Sequence, residues 1–134
     1  MTHYRISEAA SLLGVSDDTV RRWVDAGTLA ASADESGRQV VEGAALAAVA
    51  VDRARTPDDD AAGTSSARNR FAGIVTALTL DTVMAQVELQ CGPFRVVSLM
   101  SSEAVRELGL EVGSRATAVV KATTVLVETP RGHR

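Results

Sequence analysis

Side chains that donate hydrogen bonds or carry positive charge occur at a few points in the second half of the sequence. They are Ser66, Arg68, Asn69, Ser101, Ser102 and Lys121. The two adjacent serines lie at the predicted start of a short helix, where free backbone N–H groups favour an anion. Together these groups form the donor-rich, acceptor-poor set that a compact tetrahedral oxyanion requires. The spacing also permits a structural interpretation, in which the serines cap a helix and the two cations are surface charges.

A second group of charged side chains shares one face of a predicted helix near the amino terminus. Arg21 and Arg22 lie on the face opposite Val20 and Trp23. If this helix entered the major groove of DNA, the two guanidinium groups could pair with guanine edges or phosphates. Arg38 lies at the tip of a predicted hairpin or wing, from which it could reach a neighbouring phosphate. The spacing alone equally permits a helix pair that binds another protein through a solvated charged face.

The sequence contains no arrangement typical of a catalytic site, so we predict that the protein is not an enzyme. No Ser-His-Asp, Cys-His or paired-carboxylate pattern stands out. Cys91 ends an alternating apolar segment and is interpreted as a small buried hydrophobe rather than a nucleophile. One cysteine and two distant histidines provide no zinc cage, so neither a cation site nor an organic cofactor is predicted.

Two kinds of structure must position these side chains. In the first half, apolar residues recur at helical spacing, and residues 13–16 join two short helices in a helix-turn-helix pattern. The predicted elements are a first helix capped by Ser7 and closed by Gly14, a second that begins at Ser16 and is ended by Gly27, a hairpin or wing formed by residues 29–32 and 38–41, and a third helix over about 42–53.

In the second half, the pattern changes to that of strands. Apolar and polar residues alternate from Val83 to Cys91, which is typical of a half-buried strand. The predicted elements are strands over 71–80, 83–91, 94–100, 115–121 and 124–128, and a short helix over 102–108 closed by Gly109. Five strands and one helix over about 60 residues predict a small OB-like barrel. The predicted fold class is therefore α+β, a small helical domain followed by a five-stranded OB-like β-barrel.

An acidic segment divides the two halves. Residues 56–65 carry three acids and no base, which predicts a solvated linker between domains at 1–55 and 66–129, with a tail at 130–134. Aromatic residues make up only 3 % of the chain, which disfavours a surface that stacks single-stranded nucleic acid. No apolar stretch approaches the roughly 20 residues that span a bilayer, and no hydrophobic signal core is present. We therefore expect a cytoplasmic protein.

The first half carries a recognisable series of motifs: YRISEAASLLGVS over residues 4–16, TVRRW over 19–23 and AGTL over 26–29. These motifs resemble the MerR-type or excisionase-type winged helix-turn-helix family over about residues 3–50. The resemblance implies that the second helix and the wing bind double-stranded DNA, usually as a dimer. The residues placed at the DNA are Ser16, Asp17, Thr19, Arg21, Arg22 and Arg38.

Six short motifs occur in order in the second half. They are SARN (66–69), GIV (73–75), SEAV (102–105), LGL (108–110), VG (112–113) and KAT (121–123) with Val125. Together they resemble the molbindin family, also named Mop or TOBE, over residues 66–128. The resemblance implies an OB-like barrel that forms dimers by exchanging strands and binds molybdate or tungstate between subunits.

The same resemblance divides the oxyanion site between two subunits. One subunit contributes Ser66 and Arg68, with Ala67 between them. The other contributes Ser101, the helix-start amides at Ser102, and Lys121 with its neighbour Ala122. Because molybdate carries two negative charges, burying it between subunits requires compensating groups from both chains.

The two resemblances together predict a transcriptional regulator that binds DNA through one domain and senses molybdate or tungstate through the other. We expect a homo-oligomer, either a dimer or a hexamer made of three dimers. Ligand binding would then change the spacing of two helix-turn-helix units and their affinity for paired half-sites. An alternative is a molybdate or tungstate storage protein whose helical domain aids assembly. A third possibility, an OB-fold nucleic-acid binder without a small ligand, is disfavoured by the scarce aromatics.

Overall fold

A computed structural model describes residues 2–54 and 65–130 of the chain. The chain divides into two units, Met1–Arg55 and Thr56–Arg134. The predicted linker, apart from Ser65, and residues 131–134 of the predicted tail lie outside the described residues. No helix in the described part of the chain is long and apolar enough to cross a membrane.

The first unit combines three helices with a small antiparallel sheet. Its elements are β1 (His3–Arg5), α1 (Ile6–Leu13), α2 (Asp17–Asp25), β2 (Ala31–Ala33), β3 (Gln39–Glu42) and α3 (Gly43–Arg53). The sheet order is β1-β3-β2, so the β2–β3 hairpin and the amino-terminal strand share the central strand. Its core contains Val20, Leu29, Val41 and Leu46, all 3 % exposed or less.

The ends of the first two helices follow from local hydrogen bonds. The predicted Ser7 cap is wrong: α1 begins directly after β1, with Arg5 as its N-cap residue, because the Glu8 carboxylate accepts the Arg5 backbone N–H at 3.0 Å. The predicted end at Gly14 is confirmed, since its φ of 68° is the left-handed conformation that glycine favours. The predicted start of α2 is also confirmed, because the Ser16 hydroxyl accepts the Thr19 N–H at 3.1 Å.

The second unit is a curled, OB-like antiparallel sheet with one helix. Its elements are β4 (Asn69–Leu80), β5 (Met84–Cys91), β6 (Phe94–Ser101), α4 (Ser102–Leu108) and β7 (Arg115–Val120), followed by a 3₁₀ turn (Ala122–Thr124). The sheet order is β6-β5-β4-β7. The first half of β4 pairs with β7 and the second half pairs with β5, with an irregularity between Val75 and Ala77. The core consists of Val75, Ala85, Val87, Leu89, Cys91 and Val105.

The predicted fifth strand over residues 124–128 is wrong for the described chain, whose second unit has four strands. The backbone N–H and the hydroxyl of Thr124 both donate to the Lys121 carbonyl, at 3.0 and 2.9 Å, and this turn ends β7. Beyond the turn, Leu126 and Val127 are 90 % and 87 % exposed. The apolar character of this segment misled the prediction, because no neighbouring strand within the described chain covers it.

Candidate functional site

The register of two strands brings the predicted cations to one place. Asn69 opposite Val120 is the last pair of the antiparallel β4–β7 ladder. Arg68 precedes the first strand and Lys121 follows the second, so both leave the sheet at the same end of the ladder. Ser66 lies two residues before Arg68 in the same segment.

The segment that leads into β4 is held by short local bonds. The Ala67 N–H donates to the Ser65 hydroxyl at 3.1 Å, and the Arg68 guanidinium donates to the Ser66 carbonyl at 3.3 Å. Ser66 and Arg68 are both exposed. The bond to Ser66 uses one of the five N–H donors of Arg68, and the exposed guanidinium can offer its other donors to a ligand.

Lys121 lies where β7 ends and the 3₁₀ turn begins at Ala122. Its side chain is exposed, while its carbonyl accepts both hydrogen bonds from Thr124. Residues 65–69 and 120–124 contain no aspartate or glutamate. This end of the ladder is therefore cationic and rich in donors, which is the environment that an oxyanion requires.

Ser101 is placed at the other end of β4. It pairs with Met84, beside the Leu80–Ala85 pair that ends the β4–β5 ladder. The 12 residues of β4 separate this point from Asn69, a strand contour of about 36 Å. The Ser101 hydroxyl accepts the Ala104 N–H at 3.0 Å, which leaves its own hydrogen free to donate. Within one chain, the register thus groups Lys121 with Arg68 rather than with Ser101.

Ser102 serves the fold rather than the candidate site. It is 0 % exposed, and its hydroxyl lies 2.8 Å from the Asp81 carbonyl oxygen and 3.0 Å from that of Met84. Its backbone N–H donates to the Val83 carbonyl at 2.8 Å. Both donors that the sequence suggested for an anion are therefore directed into the β4–β5 turn, where they fasten α4 to the sheet.

The β4–β5 turn is further fixed by the Asp81 carboxylate. This group accepts the N–H of Met84 at 2.7 Å and that of Val83 at 2.8 Å. The Met84 and Val83 bonds hold the pKa of the Asp81 carboxyl below its ordinary value. The ionised carboxylate is thus the form that the turn stabilises.

The buried position predicted for Cys91 is confirmed. The residue is 6 % exposed, and its Sγ donates to the Phe71 carbonyl at 3.4 Å. Burial raises the pKa of the Cys91 thiol, which disfavours the reactive thiolate. No cluster of three or more histidine, cysteine, aspartate or glutamate side chains suited to a metal ion occurs among residues 2–54 and 65–130.

The helix predicted to contact DNA presents two exposed arginines. Arg21 forms an ion pair with Asp18 at 3.3 Å, and Arg22 donates to the Thr19 hydroxyl at 3.1 Å. The same hydroxyl lies 2.9 Å from that of the N-cap Ser16. Asp17 occupies the first turn of α2. These contacts lie within a single helix, so both guanidinium groups remain on its solvent face.

Arg38 lies at the base of a well-ordered turn in the β2–β3 hairpin. The Asp34 carboxylate accepts the backbone N–H of Ser36 and that of Arg38, both at 2.9 Å. The Asp34 N–H in turn donates to the Arg38 carbonyl at 2.8 Å. These three hydrogen bonds close the turn, and the Arg38 side chain next to it is exposed.

Comparisons with known proteins match each half of the chain separately. The TOBE domain family matches residues 65–127, and a helix-turn-helix domain family matches residues 4–48. Molybdenum-pterin-binding protein 2 of Clostridium pasteurianum is 41 % identical over 63 residues, which is 46 % of this chain and 93 % of that protein. The molybdenum transport protein ModE of Herbaspirillum seropedicae is 36 % identical over 66 residues, which is 48 % of this chain and 24 % of ModE.

A solved structure is also similar to the second half. The cytoplasmic molybdate-binding protein ModG, in a crystal form with molybdate bound, superposes with a TM-score of 0.50 at 37 % identity. The match covers 54 % of this chain and 52 % of ModG. The chain therefore belongs to the TOBE-domain family that includes the molybdenum-pterin-binding proteins, and it carries a helix-turn-helix domain ahead of its TOBE domain.

Proposed function

We propose that this protein is a cytoplasmic transcriptional regulator that binds DNA and senses molybdate or tungstate at a site between its subunits. The observation that carries the proposal is a cationic β4–β7 ladder end, with Arg68 and Lys121, in a TOBE domain joined to a helix-turn-helix domain. Relatives of the TOBE half include molybdenum-pterin-binding proteins and ModG with molybdate bound, which supports molybdate as the ligand.

The chemistry of the ladder end suits a tetrahedral dianion. Arg68 and Lys121 offset its two negative charges, and the Ser66 hydroxyl adds a neutral donor. Both cations are exposed in the single chain, where water weakens their attraction for an anion. A second subunit that covers this end would exclude water and strengthen every charged hydrogen bond at the site.

A second subunit would also supply the Ser101 hydroxyl to the site. Ser101 lies at the opposite end of β4, so a Ser101 hydroxyl at the same ligand would come from another copy of the chain. Ala122 would offer its backbone N–H next to Lys121, whereas the Ala67 N–H donates to the Ser65 hydroxyl, so Ala67 would act only as the spacer between Ser66 and Arg68. The site is therefore proposed to form only in a homo-oligomer.

Two apolar features support a homo-oligomer. A groove of about 630 Å³ is lined by β5, β6, β7 and residues near α4. Residues 125–127 of the same chain are apolar and exposed, and the backbone of Val125 is extended. Exchange of this segment between two chains would cover both features and would supply a fifth strand, beyond the four that residues 65–130 form in a single chain. We propose a dimer as the basic unit, with a hexamer of three dimers as the larger assembly.

A dimer would present two copies of α2 and the β2–β3 hairpin to DNA. Arg21 and Arg22 would read the major groove, with Ser16, Asp17 and Thr19 at the helix start, and Arg38 would contact a phosphate from a wing. One copy neutralises few phosphates, so tight binding requires two half-sites. If the oxyanion alters the subunit geometry, then DNA must alter the oxyanion affinity by the same factor. A storage role is less favoured, because a storage protein would not need a helix-turn-helix domain to bind DNA.

Isothermal titration calorimetry of the full chain with molybdate, tungstate, sulfate and phosphate tests the ligand. We expect binding of molybdate or tungstate and weaker binding of sulfate and phosphate. Removing one charged hydrogen bond costs about 1.5–3 kcal/mol, so Lys121→Ala and Arg68→Ala should each weaken binding about 10- to 100-fold. Arg106→Ala, at an exposed arginine on α4, is the charge-matched control and should bind normally. Unchanged affinity in Lys121→Ala would refute the proposed site.

Fluorescence anisotropy with a labelled DNA duplex of mixed sequence tests the proposed binding of DNA. We expect an affinity that falls steeply with salt concentration, because phosphate contacts release counterions. Adding molybdate should change that affinity. A chain that binds molybdate but shows no salt-dependent binding to duplex DNA would support storage instead.

A further inference from the structure

Asn69 forms a side-chain bond at the point where the two proposed cationic ligands leave the sheet. Its amide Nδ2 donates to the Val120 carbonyl at 3.1 Å, in a half-buried position and across 51 residues of sequence. Asn69 and Val120 are also the last pair in the β4–β7 register. The side chain therefore adds a hydrogen bond to the terminal pair of the ladder.

The end of a ladder is its weakest part, because the last pair is supported from one side only and opens first. The β4–β7 pairing does not continue beyond this pair: Arg68 lies outside β4, and Lys121 begins the 3₁₀ turn. If the terminal pair opened, the backbones that carry Arg68 and Lys121 would separate. The Asn69 amide opposes that opening by holding the Val120 carbonyl.

We propose that Asn69 is a positioning residue of the oxyanion site, which fixes the spacing between Arg68 and Lys121 by closing the end of the β4–β7 ladder. This inference rests on the proposed function and deepens it. A tetrahedral dianion has a fixed size, so its donors must converge within about 0.5 Å of the productive geometry. Asn69 itself does not contact the ligand in this account; it acts through the two cations.

Thr76 provides a matched control on the same strand. Its hydroxyl donates to the Glu88 carbonyl at 3.3 Å, so it also bonds across a ladder from β4, but it does so away from the cationic end. Asn69→Leu and Thr76→Val each remove one such donor with little change in side-chain volume. Asn69→Ala is a second variant in case the leucine is poorly accommodated.

Molybdate and tungstate affinities of the full chain are measured by calorimetry, and unfolding temperatures are measured without ligand. We expect Asn69→Leu to weaken binding about tenfold, the order of effect seen when outer partners of a ligand site are removed. Thr76→Val should leave the affinity within about twofold of the wild type, while it lowers the unfolding temperature by about as much as Asn69→Leu does. Equal affinity in Asn69→Leu, Asn69→Ala and the wild type would overturn the inference.

A double-mutant cycle with Lys121→Ala separates positioning from general loosening. If Asn69 acts through Lys121, Asn69→Leu should cost clearly less affinity in the Lys121→Ala background than in the wild type. The same fold loss in both backgrounds would mean that Asn69 affects binding independently of Lys121, and the inference would be wrong. A wild-type chain that binds neither oxyanion would instead refute the proposed function, and this inference would fail with it.

Discussion

The close approach of two strands at Gly73 makes a sharp prediction about the TOBE unit. A Cβ atom added at this position would overlap the Gln90 carbonyl oxygen and lie 2.8 Å from the Cys91 Sγ. The first of these atoms belongs to the backbone of β5, which the β4–β5 and β5–β6 ladders hold on both sides. Gly73→Ala therefore cannot be accommodated by a side-chain rotation, and the strands must shift apart.

Overpacking of this kind costs about 1–3 kcal/mol. For a unit of this size, each kcal/mol lowers the unfolding temperature by about 4–8 °C, so Gly73→Ala should lower it by about 5–20 °C. Thr79→Ser, at an exposed position of the same strand, is the control and should change the stability by no more than about 0.5 kcal/mol.

Spectroscopy can follow the two units separately. Trp23 and Tyr4 are the chain's only tryptophan and tyrosine, and both lie in the first unit. Tryptophan fluorescence therefore reports the helix-turn-helix unit, while circular dichroism also follows the β-sheet of the TOBE unit. We expect Gly73→Ala to leave the fluorescence transition unchanged and to lower the sheet transition. A variant that melts like the wild type by both probes would show that β4 and β5 do not approach each other closely at Gly73.

Three further predictions concern other parts of the chain. Because the pKa of the Asp81 carboxyl is lowered in the folded protein, the ionised carboxylate stabilises the fold at neutral pH, and this stabilisation is lost as the pH falls through the folded pKa. Asp81→Asn should therefore be less stable than the wild type at neutral pH and should lose less stability below about pH 4. Urea unfolding at a series of pH values measures both effects. An equal decline in both proteins would contradict this. Cys91 should react slowly with a thiol reagent until the protein is denatured, because the thiol is buried and its pKa is raised; rapid reaction of the native chain would be inconsistent with the packing. Arg21→Ala and Arg22→Ala should each weaken DNA binding, and Arg38→Ala should also lower the slope of log affinity against log salt concentration by about one, because Arg38 is the proposed phosphate contact. Arg106→Ala should change neither quantity; equal losses in all four variants would indicate a non-specific charge effect.

Helix boundaries that depend on side-chain or glycine signals could be predicted from sequence. Ser16 and Gly14 set their helix ends through local chemistry, which a short window of sequence contains. Ser7 misled the prediction because the preceding strand already fixes the chain at Arg5, and the Glu8 carboxylate completes the cap from inside the helix. That outcome depends on the pairing of β1 with β3, which is a long-range contact.

In the candidate site, too, local sequence predicts which residues matter, whereas long-range strand pairing decides where they lie. Sequence motifs identified Arg68 and Lys121, but their common location depends on the register between strands that lie about 50 residues apart. The burial of Ser102 could not be distinguished from the exposure of Ser101 by residue type, because two adjacent serines offer the same donors. The sequence named Asn69 as a donor within the SARN motif, but its bond to Val120 depends on the long-range pairing of β4 with β7 and was not predicted.

We propose that a metal oxyanion binds where Arg68 and Lys121 leave the sheet. Anomalous diffraction at the molybdenum absorption edge, from crystals of the full chain grown with molybdate, tests it most directly, because the metal atom locates itself. We expect a molybdenum peak whose shell of oxygen atoms lies within hydrogen-bonding distance of Arg68 and Lys121, with a second subunit against the same site. A molybdenum peak elsewhere on the protein, or none at a saturating concentration, would contradict it.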